Sequence, residues 1–304
     1  MRLRRLPAIV ACVLFVAVTR GHAAEDCFFD SNGVRIHYTI EGKGEPVLLI
    51  HGFSVNGQLQ WGIPGIVRAL AKDYQVICLD CRGHGRSGKP HDPSKYGAEM
   101  GEDAIRLLDH LDIRMAHLVG YSMGGFITLK LLANHPDRFL TATTGGAGSS
   151  EQIDASFLDE LAASLDRGDG ISPLIRRLTP AGRMQPTEEQ LKKINQMMSL
   201  FNDPKALAAV IRGMKGLTIT ARDLRANKVP ILALVGDSDP FKKGVDAFKG
   251  QVPNLQIAVI KYADHMDAFL KPEFTRILLE FLAKNSSIGS AKTPAAAAPA
   301  GSSR

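Results

Sequence analysis

The residues best suited to chemistry in this chain are one serine, one histidine and two aspartates, each of which follows a short apolar run. Ser122 stands at the centre of residues 120–124, which read Gly-Tyr-Ser-Met-Gly and fit the pattern G-x-S-x-G. Asp237, Asp239 and His265 follow much later in the chain. A serine hydroxyl is a poor nucleophile unless a base lies within hydrogen-bond reach and a third group holds the tautomer of that base. These residue types together could transfer an acyl group to water through an acyl-serine intermediate.

The serine lies in a tight turn between a predicted strand and a predicted helix. Residues 117–119 form an apolar run typical of a buried strand, and residues 126–133 have helical spacing. The turn drives Ser122 towards positive φ, which is costly for a residue other than glycine. Gly120 and Gly124 have no Cβ, so the strand and the helix can pass close to the turn. The helix N-terminus behind the serine favours developing negative charge.

Strand, turn and helix around this motif resemble the α/β-hydrolase family, and the resemblance extends over about residues 34–282. The motif alone is also found in ordinary small-residue turns, so the surrounding elements and partners carry the resemblance. The family uses its triad in the order Ser, Asp, His. The resemblance therefore implies that Ser122 is the nucleophile, that His265 is the general base and then acid, and that Asp239 orients His265.

Two aspartates compete for the third position of the triad. The family places the acid three residues after the glycine that ends the strand, which favours Asp239 after Gly236, whereas the residues alone do not separate it from Asp237. Asp264 adjoins His265, but neighbours on a loop rarely face each other. The family often has glycine before the histidine, so Asp264 is a departure from the family pattern.

The resemblance also implies two backbone donors for an oxyanion hole. The predicted strand 46–50 ends in His51, Gly52 and Phe53. In the family this loop supplies one N–H, here that of Phe53, and the residue after the nucleophile, Met123, supplies the other. Gly52 would allow close approach of the loop. We expect His51 to orient this loop rather than to exchange protons.

A glycine-rich loop at residues 80–87 resembles the family's D-x-R-G-x-G-x-S segment. We interpret it as structural, with Asp80 and Arg82 holding the loop near the serine turn. A phosphate-binding loop would end in Gly-Lys-Ser/Thr, which is absent here.

The cysteines give only weak evidence for redox chemistry. Cys78 and Cys81 have the spacing of a redox motif, but they fall at a strand end rather than at a helix start. With Cys27 they form an odd set of three after a predicted leader is removed, which cannot be a closed disulfide framework. A bridge from Cys27 to one of the other two stays open.

Alternating strands and helices predict an α/β fold with a doubly wound, mainly parallel sheet. The core is expected over residues 24–145 and 229–284, and residues 146–228 are expected to form an inserted helical cap above the serine. The predicted strands are 34–41, 46–50, 74–79, 117–119, 137–144, 230–235 and 255–260, and the predicted helices are 61–72, 96–111, 126–133, 153–165, 187–201, 204–214 and 272–283. Most of the following cap side chains are expected in its core, and some in an adaptable acyl pocket: Met184, Met197, Met198, Leu200, Phe201 and Met214.

Residues 1–23 have the layout of a secretory signal peptide, which predicts a secreted or periplasmic protein. A basic start is followed by an apolar run at 6–18, too short for a comfortable membrane span, and by small residues that suit cleavage after Ala23 or Ala24. An uncleaved anchor is the alternative. Removing this leader lowers the net charge from +6 to +2, so the basic composition does not argue for a nucleic-acid partner. The Ser/Ala/Pro-rich residues 285–304 are expected to be a disordered tail.

The function that we predict is an exported serine hydrolase of the carboxylesterase or lipase-like type, acting on a small ester or acyl substrate without a metal or organic cofactor. A carbon–carbon bond hydrolase and a cofactor-free haloperoxidase or perhydrolase would use the same triad. An aspartate in place of Ser122 would have indicated dehalogenase or epoxide hydrolase chemistry instead. A non-catalytic binding protein on this scaffold is a further alternative, although such proteins usually lose a triad member.

Overall fold

An eight-stranded sheet forms the centre of the computed structural model, which describes residues 25–286. The strands are β1 (Glu25–Ser31), β2 (Val34–Glu41), β3 (Glu45–Ile50), β4 (Tyr74–Leu79), β5 (Ala116–Tyr121), β6 (Phe139–Gly145), β7 (Ile231–Gly236) and β8 (Leu255–Ile260). They lie in the order β1-β2-β4-β3-β5-β6-β7-β8. The β1–β2 and β2–β4 pairs are antiparallel, and every later pair is parallel, which confirms the predicted fold class.

The central strands are apolar because both faces of the sheet are covered. In β3, Leu48 and Ile50 join the hydrophobic core on one face, whereas Val47 and Leu49 join the core on the other. Every residue of β5 and β7 is buried. The helices are α1 (Ile66–Leu70), α2 (Ala98–His110), α3 (Met123–Asn134), α4 (Ala155–Asp166), α5 (Ser172–Leu178), α6 (Glu188–Ser199), α7 (Pro204–Gly213), α8 (Lys242–Asp246) and α9 (Pro272–Lys284).

All seven predicted strands are present, and the differences lie at the first strand, at the first helix and at two short helices that were not predicted, α5 and α8. β1 was not predicted; it is the edge strand of the described sheet and pairs there with β2. The predicted helix 61–72 is wrong in extent, because a helical turn at Gln58–Gly62 ends before α1 begins. Gly65, with φ of 83°, separates the two segments.

Four helices, α4 to α7, form an insertion between β6 and β7, which we call the helical insertion. Leu158 and Leu161 of α4 pack against Leu207 and Ile211 of α7. The short helix α5 was not among the predicted helices. Four apolar side chains that we expected mostly in the core of this segment are exposed instead, because no other element of residues 25–286 covers this side of α6 and its flanking loops: Met184, Met197, Leu200 and Phe201.

The ends of the chain fall largely outside the described residues. The predicted signal peptide, 1–23, lies outside them, as do all but the first two residues of the predicted tail, 285–304. Among residues 25–286, no helix combines the length and the apolar character that crossing a membrane requires.

Candidate active site

Ser122 sits in the turn that joins β5 to α3, with φ of 54° and ψ of −115°. Its N–H donates to the carbonyl of Gly145 at 2.7 Å, which ties the turn to the end of β6. A Cβ at Gly120 would overlap the carbonyl of Gly124, and a Cβ at Gly124 would overlap the carbonyl of Ile50. Both glycines are therefore required by close packing of strand, turn and helix.

The structure brings Ser122, His265 and Asp239 together from three separate loops at the carboxyl edge of the sheet. The Ser122 Oγ lies 2.9 Å from His265 Nε2, and His265 Nδ1 lies 2.9 Å from Asp239 Oδ2. A buried carboxylate at Nδ1 holds the proton there, so Nε2 is left free to accept the serine proton. Asp239 Oδ1 accepts a hydrogen bond from the Phe241 N–H at 2.8 Å, which fixes the carboxylate in the turn after β7.

Asp237 has a different position and different partners. Its two oxygens accept the backbone N–H groups of Tyr262 at 2.9 Å and Ala263 at 3.2 Å, which join the loop after β7 to the loop after β8. These bonds, the Tyr262 bond foremost, lower the pKa of Asp237. Of the two rival aspartates, Asp239 contacts His265, and Asp237 shapes the neighbouring loop.

Two aromatic residues hold His265 in place, and the sequence did not single them out. The Tyr121 hydroxyl donates to the His265 carbonyl at 2.8 Å, and the Phe241 ring lies 5.0 Å from the imidazole. Burial, reinforced by nearby carboxylates, raises the pKa of Tyr121, so its hydroxyl stays a neutral donor. The sequence offered one signal for them, because Tyr121 precedes Ser122 and Phe241 follows Asp239 by two residues.

Asp264 turns away from His265 and towards the helical insertion. Its Oδ2 lies 2.7 Å from Nη1 of Arg183, in the segment between α5 and α6, and its Oδ1 accepts the Met266 N–H at 2.8 Å. The Asp264 side chain is 8% exposed and that of Arg183 is 57% exposed. The residue that departs from the family pattern thus connects the insertion to the histidine loop.

The two backbone donors expected for an oxyanion hole lie beside the serine. Phe53 and Met123 line the same small cavity as Ser122, and a Cβ at Gly52 would approach the Ser122 Cβ to 3.5 Å. Met123 is the first residue of α3, where a backbone N–H has no acceptor within the helix. This arrangement can present N–H groups to negative charge that develops next to Ser122.

His51 supports this loop through two hydrogen bonds. Its Nε2 accepts the Cys81 N–H at 3.0 Å, so its proton is on Nδ1, which donates to the Gly52 carbonyl at 2.7 Å. Burial lowers the pKa of His51 and keeps the ring neutral. Gln60, which the sequence did not single out, also supports the loop, because its Oε1 accepts the Gly52 N–H at 3.4 Å.

The loop at residues 80–87 is held by two buried charged side chains. Burial alone would raise the pKa of Asp80, but hydrogen bonds from His37 and from the Arg86 N–H outweigh it and hold the pKa at about 2. Arg82 donates two hydrogen bonds to the buried Asp103 carboxylate, at 2.7 and 2.6 Å. Asp80 also accepts the N–H of residue 57 in the loop after β3.

The thiols are buried or part-buried, and Cys27, Cys78 and Cys81 are all free in the described chain. Burial raises the pKa of both Cys78 and Cys81, which disfavours the reactive thiolate. No group of three His, Cys, Asp or Glu side chains in residues 25–286 is arranged to hold a metal ion.

The cavity at Ser122 is small and apolar. It has a volume of about 40 Å³, enough for a few water molecules, and both the core and the helical insertion form its walls. Phe126 and Phe241 line it from the core, and Leu161 and Met214 line it from the insertion. A larger cavity of about 680 Å³ lies among the insertion helices, but its walls do not include Ser122.

Comparison with known proteins places this geometry in a family context. The family profile for the alpha/beta hydrolase fold matches residues 45–272. The chain is 31% identical over 228 residues to the dihydrolipoyllysine-residue acetyltransferase component of the acetoin cleaving system of Pseudomonas putida, covering 73% of this chain and 59% of that protein. It spans between half and three fifths of the two acetyltransferase components of this kind that it matches.

Two further similar proteins are covered over most of their length. A 3-oxoadipate enol-lactonase of Acinetobacter baylyi is 28% identical over 218 residues, covering 70% of this chain and 79% of that protein. The crystal structure of a bromoperoxidase from Bacillus anthracis superimposes with a TM-score of 0.70 at 27% identity, covering 85% of this chain and 99% of that chain.

Proposed function

Because the chain belongs to the alpha/beta hydrolase fold family, we propose that it is a serine hydrolase that cleaves carboxylic esters through an acyl-serine intermediate. The observation that carries this proposal is the continuous hydrogen-bond chain from Ser122 through His265 to Asp239. A nucleophile, a base and an orienting carboxylate within hydrogen-bond reach are what acyl transfer to water requires.

In the proposed reaction, the Ser122 Oγ attacks the ester carbonyl while His265 Nε2 takes the hydroxyl proton. The carbonyl oxygen becomes negative and is stabilised by the N–H groups of Phe53 and Met123. His265 then gives its proton to the departing alcohol, which leaves an acyl group on Ser122. Water, activated by the same imidazole, releases the acid and restores the serine. Asp239 stays ionised and stabilises the imidazolium at each step.

Two observations favour an ester over other acyl substrates. The walls around Ser122 are almost entirely apolar, which suits the acyl chain of an ester. One similar protein is an enol-lactonase, and a lactone is a cyclic ester. The similarity to a bromoperoxidase supports a second candidate, a cofactor-free haloperoxidase or perhydrolase that uses the same three side chains.

A panel of substrates tests the proposal. The purified protein would be labelled with a fluorophosphonate and assayed on p-nitrophenyl esters of graded chain length, on lactones, on β-diketones, and for peracid formation from acetate and hydrogen peroxide. We expect labelling at Ser122 and the highest kcat/KM on esters. The Ser122→Ala variant should lose both. If Ser122 is labelled but the protein cleaves only diketones or forms only peracids, the ester assignment is wrong and one of these activities takes its place.

We also propose that the protein is exported and that residues 1–23 are removed. β1 begins at Glu25, so a chain cleaved after Ala23 or Ala24 would keep all the strands that the structure describes. Mass spectrometry of the protein from its native host should then find an N-terminus at Ala24 or Glu25. An intact N-terminus in a cytosolic fraction would refute export.

A further inference from the structure

Arg177, near the end of α5, is the one charged side chain among the described residues that line the cavity at Ser122. Its guanidinium lies over the Phe157 ring, 4.6 Å from the ring centroid, and Phe157 lines the same cavity. A guanidinium on the face of an aromatic ring keeps its N–H donors in its own plane, where they can still bind a planar anion. Arg177 is exposed to solvent at the same time, so it forms the outer wall of the cavity.

Among the side chains that the structure describes, 26–151 and 153–286, none accepts a hydrogen bond from Arg177. None of the ion pairs or side-chain hydrogen bonds among these side chains includes its guanidinium, although its charge acts on the exposed Asp154. Four neighbouring arginines of the helical insertion are instead paired with a carboxylate: Arg167 with Asp169, Arg176 with Glu188, Arg183 with Asp264 and Arg212 with Asp166. An unpaired cation on an apolar wall is available to a ligand.

We propose that Arg177 is a specificity-determining residue that pairs with a carboxylate on the acyl side of the substrate, so that the preferred substrates are esters whose acyl group also carries a free carboxylate. This inference rests on the proposed ester hydrolysis. The acyl side is assigned because the acyl group stays bonded to Ser122 after the alcohol has left, and Arg177 forms part of the wall beside Ser122. Arginine is suited to bind a carboxylate through two parallel hydrogen bonds.

The experiment compares two substrates that differ in one charge. Mono-p-nitrophenyl adipate carries a free carboxylate, and p-nitrophenyl methyl adipate carries a neutral ester in its place. The adipate chain is too long for the free carboxylate to displace nitrophenolate readily through a five- or six-membered ring. At low salt we expect the wild type to favour the anionic substrate by about tenfold in kcat/KM, mainly through KM, because this contact is made in both the ground state and the transition state.

In the Arg177→Gln variant, the ratio of kcat/KM on the anionic substrate to kcat/KM on the neutral substrate should fall to about one. Arg177→Lys should restore part of the preference because it keeps the charge. The matched control is Arg176→Gln, which removes the same charge from the adjacent position of α5, where the side chain pairs with Glu188 and does not line this cavity. The preference should also shrink as salt is raised, since Arg177 is exposed.

The outcomes separate this inference from the proposed function. Equal preference in the wild type and in Arg177→Gln overturns the role of Arg177 and leaves ester hydrolysis standing, as does a preference found only for a carboxylate on the alcohol side. Should no ester be cleaved, the proposed function fails, and the inference is decided by fluorophosphonate labelling of Ser122 in the presence of adipate. Protection that is lost in Arg177→Gln supports the inference, and absent or unchanged protection overturns it.

Discussion

Replacement of Asp239 by asparagine tests the proposed triad most directly, because the structure dictates how the amide must orient. Asp239 Oδ1 accepts the Phe241 N–H at 2.8 Å, so the carbonyl oxygen of an asparagine would take this place. Its NH₂ group would then face His265 Nδ1, where the carboxylate now lies at 2.9 Å. Since an NH₂ group donates, Nδ1 must accept, and the imidazole proton moves to Nε2. In that tautomer His265 cannot take the proton of Ser122.

The expected loss in kcat for Asp239→Asn is about 10⁴-fold, or about 5 kcal/mol of transition-state stabilisation. The Phe241 bond and the side-chain volume are kept, so the melting temperature should change little. The matched control is Asp237→Asn, which can keep only one of its two bonds to the backbone of Tyr262 and Ala263 and should lose less than about tenfold in rate. Both variants would be assayed on one short-chain p-nitrophenyl ester, with thermal unfolding as the check on folding.

A severe loss in Asp237→Asn together with a near-normal Asp239→Asn would refute this reasoning. Equal and mild losses in both would mean that neither carboxylate sets the tautomer of His265.

Three further predictions concern the turn, a buried carboxylate and the helical insertion. Ser122→Gly should abolish hydrolysis yet raise the melting temperature by about 2 °C relative to Ser122→Ala, because glycine relieves the positive φ of 54°. Asp80→Asn should lower the free energy of unfolding at pH 7 by about 2 kcal/mol, from the difference between the ordinary pKa of 3.8 and about 2 in the folded protein. Because the pKa of Asp80 is lowered in the folded protein, its ionised carboxylate stabilises the fold above pH 3.8, and this contribution is lost as the pH falls towards 2. The free energies of unfolding of variant and wild type, measured in urea, should therefore converge near pH 2. A difference that stays constant with pH would contradict the lowered pKa of Asp80. Arg183→Gln should change the free energy of unfolding by less than about 1 kcal/mol but should speed cleavage of the insertion by chymotrypsin, because it removes an ion pair to the histidine loop. Arg167→Gln should not speed this cleavage, because the partner of Arg167, Asp169, lies within the insertion itself.

The strands could be predicted from the sequence because a strand buried on both faces must be continuously apolar and must end at polar or glycine residues. This rule located β4 at residues 74–79 and β7 to within one residue. It failed for β1, whose polar and apolar residues pair only with β2 at the edge of the sheet. The prediction that most methionines of the helical insertion lie in its core failed for a different reason. Helical spacing does not show whether another element covers the apolar face.

The site could be predicted only as far as local sequence determines it. The positive φ of Ser122 and the need for glycine on both sides of it follow from five consecutive residues, and the sequence predicted both. The distinction between Asp237 and Asp239 depends on how the loop after β7 meets the loop after β8, which is a tertiary relation. Arg177 was missed because a charged residue on a short helix resembles any solvated surface residue until its position beside Ser122 is known.

The small cavity above Ser122 has a kinetic consequence. At about 40 Å³ it is far below the roughly 300–1,000 Å³ of pockets that enclose small ligands, so this arrangement leaves too little room for a whole ester. We therefore expect each turnover to include a movement of the helical insertion away from the core, and the frequency of that movement would set a ceiling on kcat. For an activated ester, whose chemical step is fast, kcat should fall as sucrose or glycerol raises the viscosity of the solvent. For an alkyl ester, whose chemical step is slow, kcat should not depend on viscosity.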